Sequence, residues 1–257
     1  IVAASLVLAL HIAHEHRRTG EREGERLLAQ AMVVDANLEG IVLAADLLLK
    51  GVASGASEMA ERDAEEAGRD LQRLVDVNPA IRTVLLTDAE GILRLSNRPE
   101  IVGFDASGRD YFLRAKAGGN PDLLYISPPF ETITGIHAVN VSRIVLDQDG
   151  GLGGVVAATL EPGYFSRLLG SVVYAEDMWT AIVHEEGTLY VIAPERDGVS
   201  GVDLAVPGSL FSTHITHGGR ATVVEGITHV TGEDRIMALV TSHPQTVPSD
   251  ANFIVMA

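Results

Sequence analysis

The sequence contains no cysteine, and only 5% of its residues are aromatic. The absence of cysteine excludes disulfides, thiolate catalysis and cysteine-ligated zinc, and it suits a bacterial periplasm. Positive charge is also scarce, because 19 lysines and arginines stand against 35 aspartates and glutamates, for a formal net charge of −16. Nucleic acid is therefore not an expected partner, since phosphate backbones require a basic face.

Sequence motifs of common catalytic and metal sites are also missing. There is no P-loop, no GxSxG elbow, no HExxH and no GxGxxG after a strand. His11, His14 and His16 lack carboxylate partners at ligand spacing. The acidic turn at residues 147–150 lacks the glutamate that ends a calcium loop. We therefore expect no catalytic residue, no metal and no cofactor; an enzyme with an unrecognised carboxylate pair is the alternative.

The apolar runs at the two ends of the sequence are too short to span a membrane. Residues 1–13 are apolar except for Ser5 and His11, and a bilayer needs about twenty residues. The run has neither the charged start nor the cleavage site of a signal peptide. We interpret residues 1–19 as the end of a transmembrane segment, with a cloning remnant or an amphipathic start as the alternative. The apolar residues 252–257 fit a last strand before a second membrane segment.

A long amphipathic helix is predicted over residues 21–50. Its apolar residues recur at spacings of three and four: Leu27, Leu28, Ala31, Val34, Leu38, Ile41, Val42, Ala45, Leu48 and Leu49. Thirty residues make about 45 Å, so the helix either packs against its copy in a homodimer or against its own domain. Residues 51–55 are expected to interrupt it. A second, charged helix then begins at Ser57 or Glu58 and ends near Pro79.

Beyond Pro79 the pattern is typical of strands, and it occurs twice. A hairpin turns at residues 88–91, and a similar hairpin turns at residues 184–187. Gly91 and Gly187 are 96 residues apart, and Gly103 and Gly201 are 98 apart, which indicates a duplicated module. The predicted fold class is α+β: a long N-terminal helix followed by two tandem PAS-like modules, each an antiparallel sheet flanked by helices.

The stretch from Gly103 to Ala115 carries the candidate site. Ser107 and Asp110 have the spacing of a capping box, which predicts a helix beginning at residue 108 or 109. Arg109 offers a planar fork that matches a carboxylate, and the neighbouring rings of Tyr111 and Phe112 can wall a small pocket. The alternative is a capped surface helix with Arg109 in a salt bridge. The second copy has Gly-Ser-Leu at residues 208–210 instead, so only the first copy carries the arginine.

These residues resemble a double Cache sensor domain, the extracytoplasmic module of bacterial receptors. The motifs are RDYF at residues 109–112 with Ala115, SPPF at 127–130 before Gly135, and Asp-Gly at 149–150 leading into Gly-Val-Val at 154–156. The resemblance implies four segments: a membrane-segment end at 1–19, a long stalk helix and second helix at 20–78, a membrane-distal ligand-binding module at 79–170, and a membrane-proximal module at 171–257.

The resemblance also implies residue roles. Arg109 would grip a ligand carboxylate, and Tyr111 and Phe112 would line the pocket. Phe130 and Thr159 stand where amino-acid-binding members have a tyrosine and an aspartate. Because a buried ammonium without an anion is costly, the expected ligand is a small organic acid and not an amino acid. Further hydrogen-bonding candidates, whose facing depends on a strand register that the sequence leaves open, are Tyr125, Ser127, Asn140 and Ser142.

The function implied by the resemblance is periplasmic ligand sensing by a receptor of the bacterial inner membrane. This region would be non-catalytic and would relay binding to a cytoplasmic histidine kinase or diguanylate cyclase, with a chemoreceptor still open. Expected partners are a small molecule, the membrane through flanking helices, and a second copy through the N-terminal helix. The alternative is a non-sensing structural, dimerisation or partner-binding module. In that alternative Arg109 would be paired with Asp105 or Asp110; in a sensor it would lack such a partner.

Overall fold

The structure is a computed structural model, and it describes residues 2–132, 135–243 and 246–257. The helices are α1 (Val2–Ser54), α2 (Ala56–Glu61), α3 (Ala64–Asp76), α4 (Asp110–Gly118), α5 (Pro162–Gly170) and α6 (Leu210–His217), with a 3-10 turn at Pro99–Ile101. The strands are β1 (Ile81–Thr87), β2 (Leu93–Ser96), β3 (Tyr125–Ile126), β4 (Phe130–Glu131), β5 (His137–Ala138), β6 (Asn140–Leu146), β7 (Leu152–Leu160), β8 (Thr180–His184), β9 (Leu189–Ala193), β10 (Ala221–Ile227), β11 (Asp234–Ser242) and β12 (Phe253–Met256).

The strands form two five-stranded antiparallel sheets with the same topology. The first has the order β2-β1-β7-β6-β3 and the second the order β9-β8-β12-β11-β10; β4 and β5 form a separate hairpin. In each sheet the opening hairpin pairs with the last strand of the module, so the two orders correspond strand for strand. The predicted α+β fold with two tandem modules is confirmed. The boundaries predicted at residues 19, 78 and 170 stay predictions.

The repeat extends to individual hydrogen bonds. In the first module the Leu93 amide donates to the Phe104 carbonyl at 2.9 Å, and in the second the Leu189 amide donates to the Val202 carbonyl at the same distance. Each bond fastens the loop that follows the hairpin onto its second strand. The duplication inferred from glycine spacing is therefore a duplication of backbone structure.

Helix α1 packs against both sheets and buries one apolar face between them. Leu38, Val42 and Leu49 on that face are fully buried. The helix is longer than predicted, because it continues through Gly51 to Ser54. A glycine costs a helix about 1 kcal/mol relative to alanine, and burial of Leu49 and Val52 offsets that cost. The predicted interruption therefore occurs only at Gly55, between α1 and α2, and the prediction is wrong for residues 51–54.

A helix that spans a membrane must be both long and apolar. Within the described ranges no helix combines the length and apolar composition that crossing a bilayer requires. The side chains of residues 1–13 lie outside the described part of the chain, so the interpretation of residues 1–19 as a membrane-segment end stays a prediction.

The predicted second helix is two helices, α2 and α3. The break occurs where Arg62 is extended and Asp63 caps α3, because Asp63 Oδ1 accepts hydrogen bonds from the amides of Glu65 and Glu66, each at 3.1 Å. An aspartate at this position satisfies amides that a continuous helix would have bonded internally. A single helix from residue 57 to Pro79 is therefore wrong.

A buried ion pair joins α1 to the first sheet. Asp46 of α1 and Arg143 of β6 are 1% and 2% exposed, and their side chains meet at 2.5 Å. Arg143 also donates from Nη1 to the Pro121 carbonyl at 2.6 Å. The carboxylate receives a further contact from Lys50 at 2.8 Å. The long helix is thus held to the first sheet by charge as well as by apolar contact.

The two modules also join edge to edge at β3. The Leu124 amide donates to the Pro248 carbonyl at 2.9 Å, and the Asp250 amide donates to the Leu124 carbonyl at 3.0 Å. The Ile126 amide then donates to Asp250 Oδ1 at 2.7 Å. The segment before β12 therefore continues the first sheet beyond its edge strand.

Arg114 on α4 reinforces the same junction. It donates to Asp110 at 2.6 Å on its own helix, to Glu186 in the turn after β8, and lies 3.6 Å from Asp250. Burial raises the pKa of Asp250, against the hydrogen bond from Ile126 and the charge of Arg114, which lower it. One side chain of the first module thus contacts two acidic groups of the second.

Candidate ligand-binding site

A cavity of about 70 Å³ lies between α4, β4 and the face of the first sheet that points away from α1. A buried water needs roughly 10–15 Å³ on this measure, so the space suits a ligand of only a few heavy atoms. Its lining residues are Arg82, Thr83, Leu85, Leu93, Arg98, Ile101, Phe104, Arg109, Tyr111, Phe130, Thr132, Asn140 and Thr159. No aspartate or glutamate is among these described lining residues.

The sheet side of the cavity is a row of three neutral polar side chains. Thr83 of β1 pairs with Thr159 of β7, and Thr159 pairs with Asn140 of β6. Residues paired directly across adjacent strands project from the same face, so these side chains lie side by side. All three are more than nine-tenths buried. The row places hydrogen-bonding groups beside an apolar pair, because the next positions of this face on β1 and β7 are Leu85 and Ala157.

Asn140 is held firmly by its backbone. Its amide donates to Ser127 Oγ at 3.0 Å, and its carbonyl accepts from the Ser127 amide at 2.9 Å. Its side-chain oxygen Oδ1 is buried and has no hydrogen-bond partner within the described residues. Leaving such an acceptor unpaired costs about 1–3 kcal/mol. Asn140 lines the cavity, but this oxygen has almost no accessible surface of its own.

Arg109 is the N-cap residue of α4, but its side chain does not cap the helix. The predicted capping box is wrong, because Ser107 donates its amide to Asp105 Oδ1 at 2.9 Å and turns the chain one residue earlier. In the second module the N-cap of α6 is Ser209, whose hydroxyl accepts from the Ser212 amide at 3.0 Å. The first copy thus has an arginine where the second has a working cap.

The Arg109 guanidinium lies between two aromatic rings. Its Cζ is 5.5 Å from the centre of the Phe104 ring and 5.7 Å from that of Phe130. Its one hydrogen bond in the described structure is a long one, 3.4 Å, from Nη1 to the Glu131 carbonyl. Asp110 pairs instead with Arg114. Most donors of the Arg109 fork therefore remain for another acceptor.

Two further arginines line the cavity, and both have acidic neighbours outside it. Arg82 pairs with Glu161 at 3.0 Å, and Arg98 lies 3.7 Å from Glu100. Of the three lining arginines, Arg109 alone has no acidic partner in the described structure, and its charge favours an anion. The sequence analysis missed Arg82, Arg98, Thr83 and Phe104. For the two arginines the sequence offered only a concentration of arginine between residues 82 and 114, which does not show which side chains meet. Thr83 and Phe104 had no signal.

Tyr111 contributes a buried phenol to the wall. It is 4% exposed, and its ring lies 6.1 Å from that of Phe130. Burial raises the pKa of Tyr111 to about 12, although the charge of Arg109 acts to lower it. The phenol therefore stays neutral at physiological pH and can donate a hydrogen bond.

The structure brings five of the nine predicted site residues to the cavity: Arg109, Tyr111, Phe130, Asn140 and Thr159. The other four have structural partners. Phe112 lies in the core under Lys116, and the Tyr125 hydroxyl bonds the Asn120 backbone. Ser127 bonds Asn140, and Ser142 donates to the Tyr111 carbonyl at 3.1 Å. As ligand contacts, all nine stay predictions.

The corresponding space in the second module is nearly filled. Only about 10 Å³ remains beneath α6, where Trp179, Leu210, Phe211 and Met237 are among the lining residues. Neither arginine nor an acid is present among the described residues around it. The asymmetry between the copies thus concerns volume as well as charge.

Comparison with known proteins gives matches among solved structures alone. No family model matches the chain, and no curated protein does. The extracellular domain of rpHK1S-Z16, described as a histidine kinase, aligns with a TM-score of 0.78 at 22% identity over 92% of this chain and 94% of that one.

Two chemoreceptor domains are also similar. The ligand-binding domain of the Pseudomonas aeruginosa amino acid chemoreceptor PctC, in complex with GABA, has a TM-score of 0.58 at 22% identity over 93% and 98% of the two chains. The Pseudomonas fluorescens chemoreceptor CtaA, in complex with L-isoleucine, has a TM-score of 0.59 at 16% identity over 94% and 92%. The predicted resemblance is confirmed in the fold: the chain has the two-module Cache fold of extracytoplasmic receptor sensor domains.

Proposed function

We propose that this region is the periplasmic ligand-sensing domain of a membrane-bound receptor and that its first, membrane-distal module binds a small carboxylate. The observation that carries the proposal is the state of Arg109. Its guanidinium lies at the cavity wall between two rings and has no acidic partner among the described residues. A carboxylate could accept two parallel hydrogen bonds from that fork.

The cavity lining favours an organic acid over an amino acid. GABA and L-isoleucine, which the two similar chemoreceptor domains hold, both carry an ammonium group besides their carboxylate. Here no aspartate or glutamate is found among the described lining residues, and three arginines are. An ammonium group would be desolvated without a counter-charge and beside like charges, which is unfavourable.

The proposal includes relay to a cytoplasmic output domain, with no catalytic step in this region. The solved structures with this fold include domains of histidine kinases and chemoreceptors, which makes these the favoured outputs. A diguanylate cyclase stays a prediction from the sequence. The rival structural or partner-binding module required Arg109 to pair with Asp105 or Asp110; instead Asp105 bonds the Ser107 amide and Asp110 pairs with Arg114.

Replacing Arg109 by serine tests the anchor. At a hundred times its dissociation constant a ligand stabilises the fold by about 2.7 kcal/mol. We expect a small carboxylate to stabilise the wild-type protein and to leave Arg109→Ser unmoved in a thermal-shift screen. Serine is the residue at the equivalent cap, Ser209, so the ligand-free variant should be as stable as the wild type or more stable by about 0.5–1 kcal/mol.

The matched control is Arg94→Ala on β2, an exposed arginine that pairs with Asp88 and does not line the cavity. It should keep the full ligand shift. Equal shifts in wild type and Arg109→Ser would place the carboxylate elsewhere and contradict the proposal.

We also propose that the receptor dimerises through α1, as the sequence indicates. The outer face of α1 exposes Met32 and Val33 at 50% and Leu47 at 59%. Ala36 and Gly40 between them are exposed and small, which allows close approach of a second helix. An apolar stripe of this kind is unusual on a solvated helix and suits a second copy.

Leu47→Glu should weaken self-association at least tenfold without changing the fold, because a charge on the stripe would be buried in the dimer and solvated in the monomer. Sedimentation equilibrium measures the effect. Ile215→Glu, which alters an apolar residue that is 47% exposed on α6, is the control and should leave association unchanged. A wild-type protein that stays monomeric at millimolar concentration would contradict the dimer.

A further inference from the structure

We infer that the ligand is a short hydroxycarboxylate whose carboxylate meets Arg109 and whose hydroxyl meets a row of neutral polar side chains. The inference rests on the proposed function, because it takes a carboxylate at Arg109 as given. It adds a second recognition element, the polar row of Thr83, Thr159 and Asn140 on the sheet side of the cavity.

The neutral polar row sets the chemistry of the second element. Its three side chains line the cavity and are more than nine-tenths buried. A ligand hydroxyl can form hydrogen bonds with these groups, whereas a methyl group in its place cannot and leaves them without a ligand partner. A site built around a hydrogen bond to a hydroxyl discriminates strongly against the analogue without it.

Charge decides whether the ligand group that meets the polar row is a hydroxyl or an ammonium. The threonine hydroxyls and the asparagine amide are neutral, and the charged groups around the cavity are Arg82, Arg98 and Arg109. A hydroxyl donates without adding charge. An ammonium would sit among guanidinium groups with no carboxylate in the described lining, which opposes its burial.

The volume of the cavity favours a ligand with a short chain. About 70 Å³ is room for roughly five waters, which matches an acid of two to four carbons. Phe104, Phe130 and Leu93 supply apolar walls for such a chain.

The test uses two matched series that change one substituent on a fixed skeleton. The first is glycolate, acetate and glycine; the second is lactate, as both enantiomers, with propionate and alanine. Calorimetric titration of the wild-type protein should show the hydroxy acid of at least one series binding about tenfold or more tighter than the unsubstituted acid. The amino acid of that series should bind weakest.

Two variants assign the preference to the polar row. Asn140→Leu keeps the branched shape and removes the side-chain amide from the row, and we expect it to bind the hydroxy acid and the unsubstituted acid equally. The control is Thr87→Val at the far end of β1, which removes a buried hydroxyl at constant shape from a position outside the cavity lining. It should preserve the preference.

The outcomes separate the two proposals. If no carboxylate of either series binds, or binding survives Arg109→Ser, the proposed function fails and the inference with it. If carboxylates bind through Arg109 but acetate and propionate match glycolate and lactate, the proposed function stands and the hydroxycarboxylate is wrong. Tightest binding of an amino acid, or a hydroxyl preference that persists in Asn140→Leu, also overturns the inference.

Discussion

Replacing Arg143 by methionine is expected to lower the free energy of unfolding by about 3–5 kcal/mol, because it leaves the Asp46 carboxylate buried without its main partner. Lys50 reaches the same carboxylate, but its side chain is half exposed and cannot fill the buried position. Urea denaturation followed by circular dichroism measures the change.

The double variant Asp46→Leu with Arg143→Met should recover most of that loss, since an apolar pair of similar volume avoids the unpaired charge. Arg73→Met, which removes an exposed arginine from its contact with Asp70, is the control and should cost less than about 1 kcal/mol. A double variant as unstable as Arg143→Met would mean that packing, and not the lone charge, explains the loss.

Gly91→Ala is expected to destabilise the protein by about 2–4 kcal/mol for two reasons that add. The residue has φ +95°, which side chains rarely adopt, and an added Cβ would lie 2.7 Å from Ser107 Cα. Gly187 in the second module has φ +96° and would bring a Cβ within 2.7 Å of the Ala205 amide nitrogen. The same loss is therefore expected at both copies, measured by thermal and urea denaturation.

Gly119→Ala separates strain from crowding. Gly119 has φ +60° at the end of α4, and nothing lies within 4 Å of an added Cβ. Its cost should be about 1 kcal/mol, from backbone conformation alone. If Gly91→Ala costs no more than this control, the close approach of the loop to Gly91 contributes nothing to stability.

These glycines explain why the duplicated architecture could be predicted from the sequence. A turn that has a positive φ and a close backbone neighbour requires glycine, so it can be recognised in the sequence. Gly91 and Gly187 occupy equivalent turns of the two modules. The Asp46–Arg143 pair has no comparable signal in the sequence. Its partners are 97 residues apart, and helical periodicity alone does not distinguish a buried aspartate from one at the edge of the apolar face.

The candidate site could be predicted only in part, for reasons of register and competition. A strand shows opposite faces at alternate residues, so Thr83 and Asn140 could be assigned to the cavity only once their pairing with Thr159 was known. The hydroxyls of Tyr125 and Ser142 were predicted as liners, yet nearby backbone groups bind them. Local competition of the same kind, between Asp105 and Ser107, explains the misread helix cap.

Helix α4 also has a mechanical consequence. It carries Arg109 at its first end and Arg114 little more than one turn later, about 7.5 Å along the axis. Because α4 is short, a shift of its first turn on ligand binding is expected to move Arg114 too, and with it the contacts to Glu186 and Asp250. On the proposed function, the second module would therefore sense ligand binding through Arg114, with no contact of its own to the ligand.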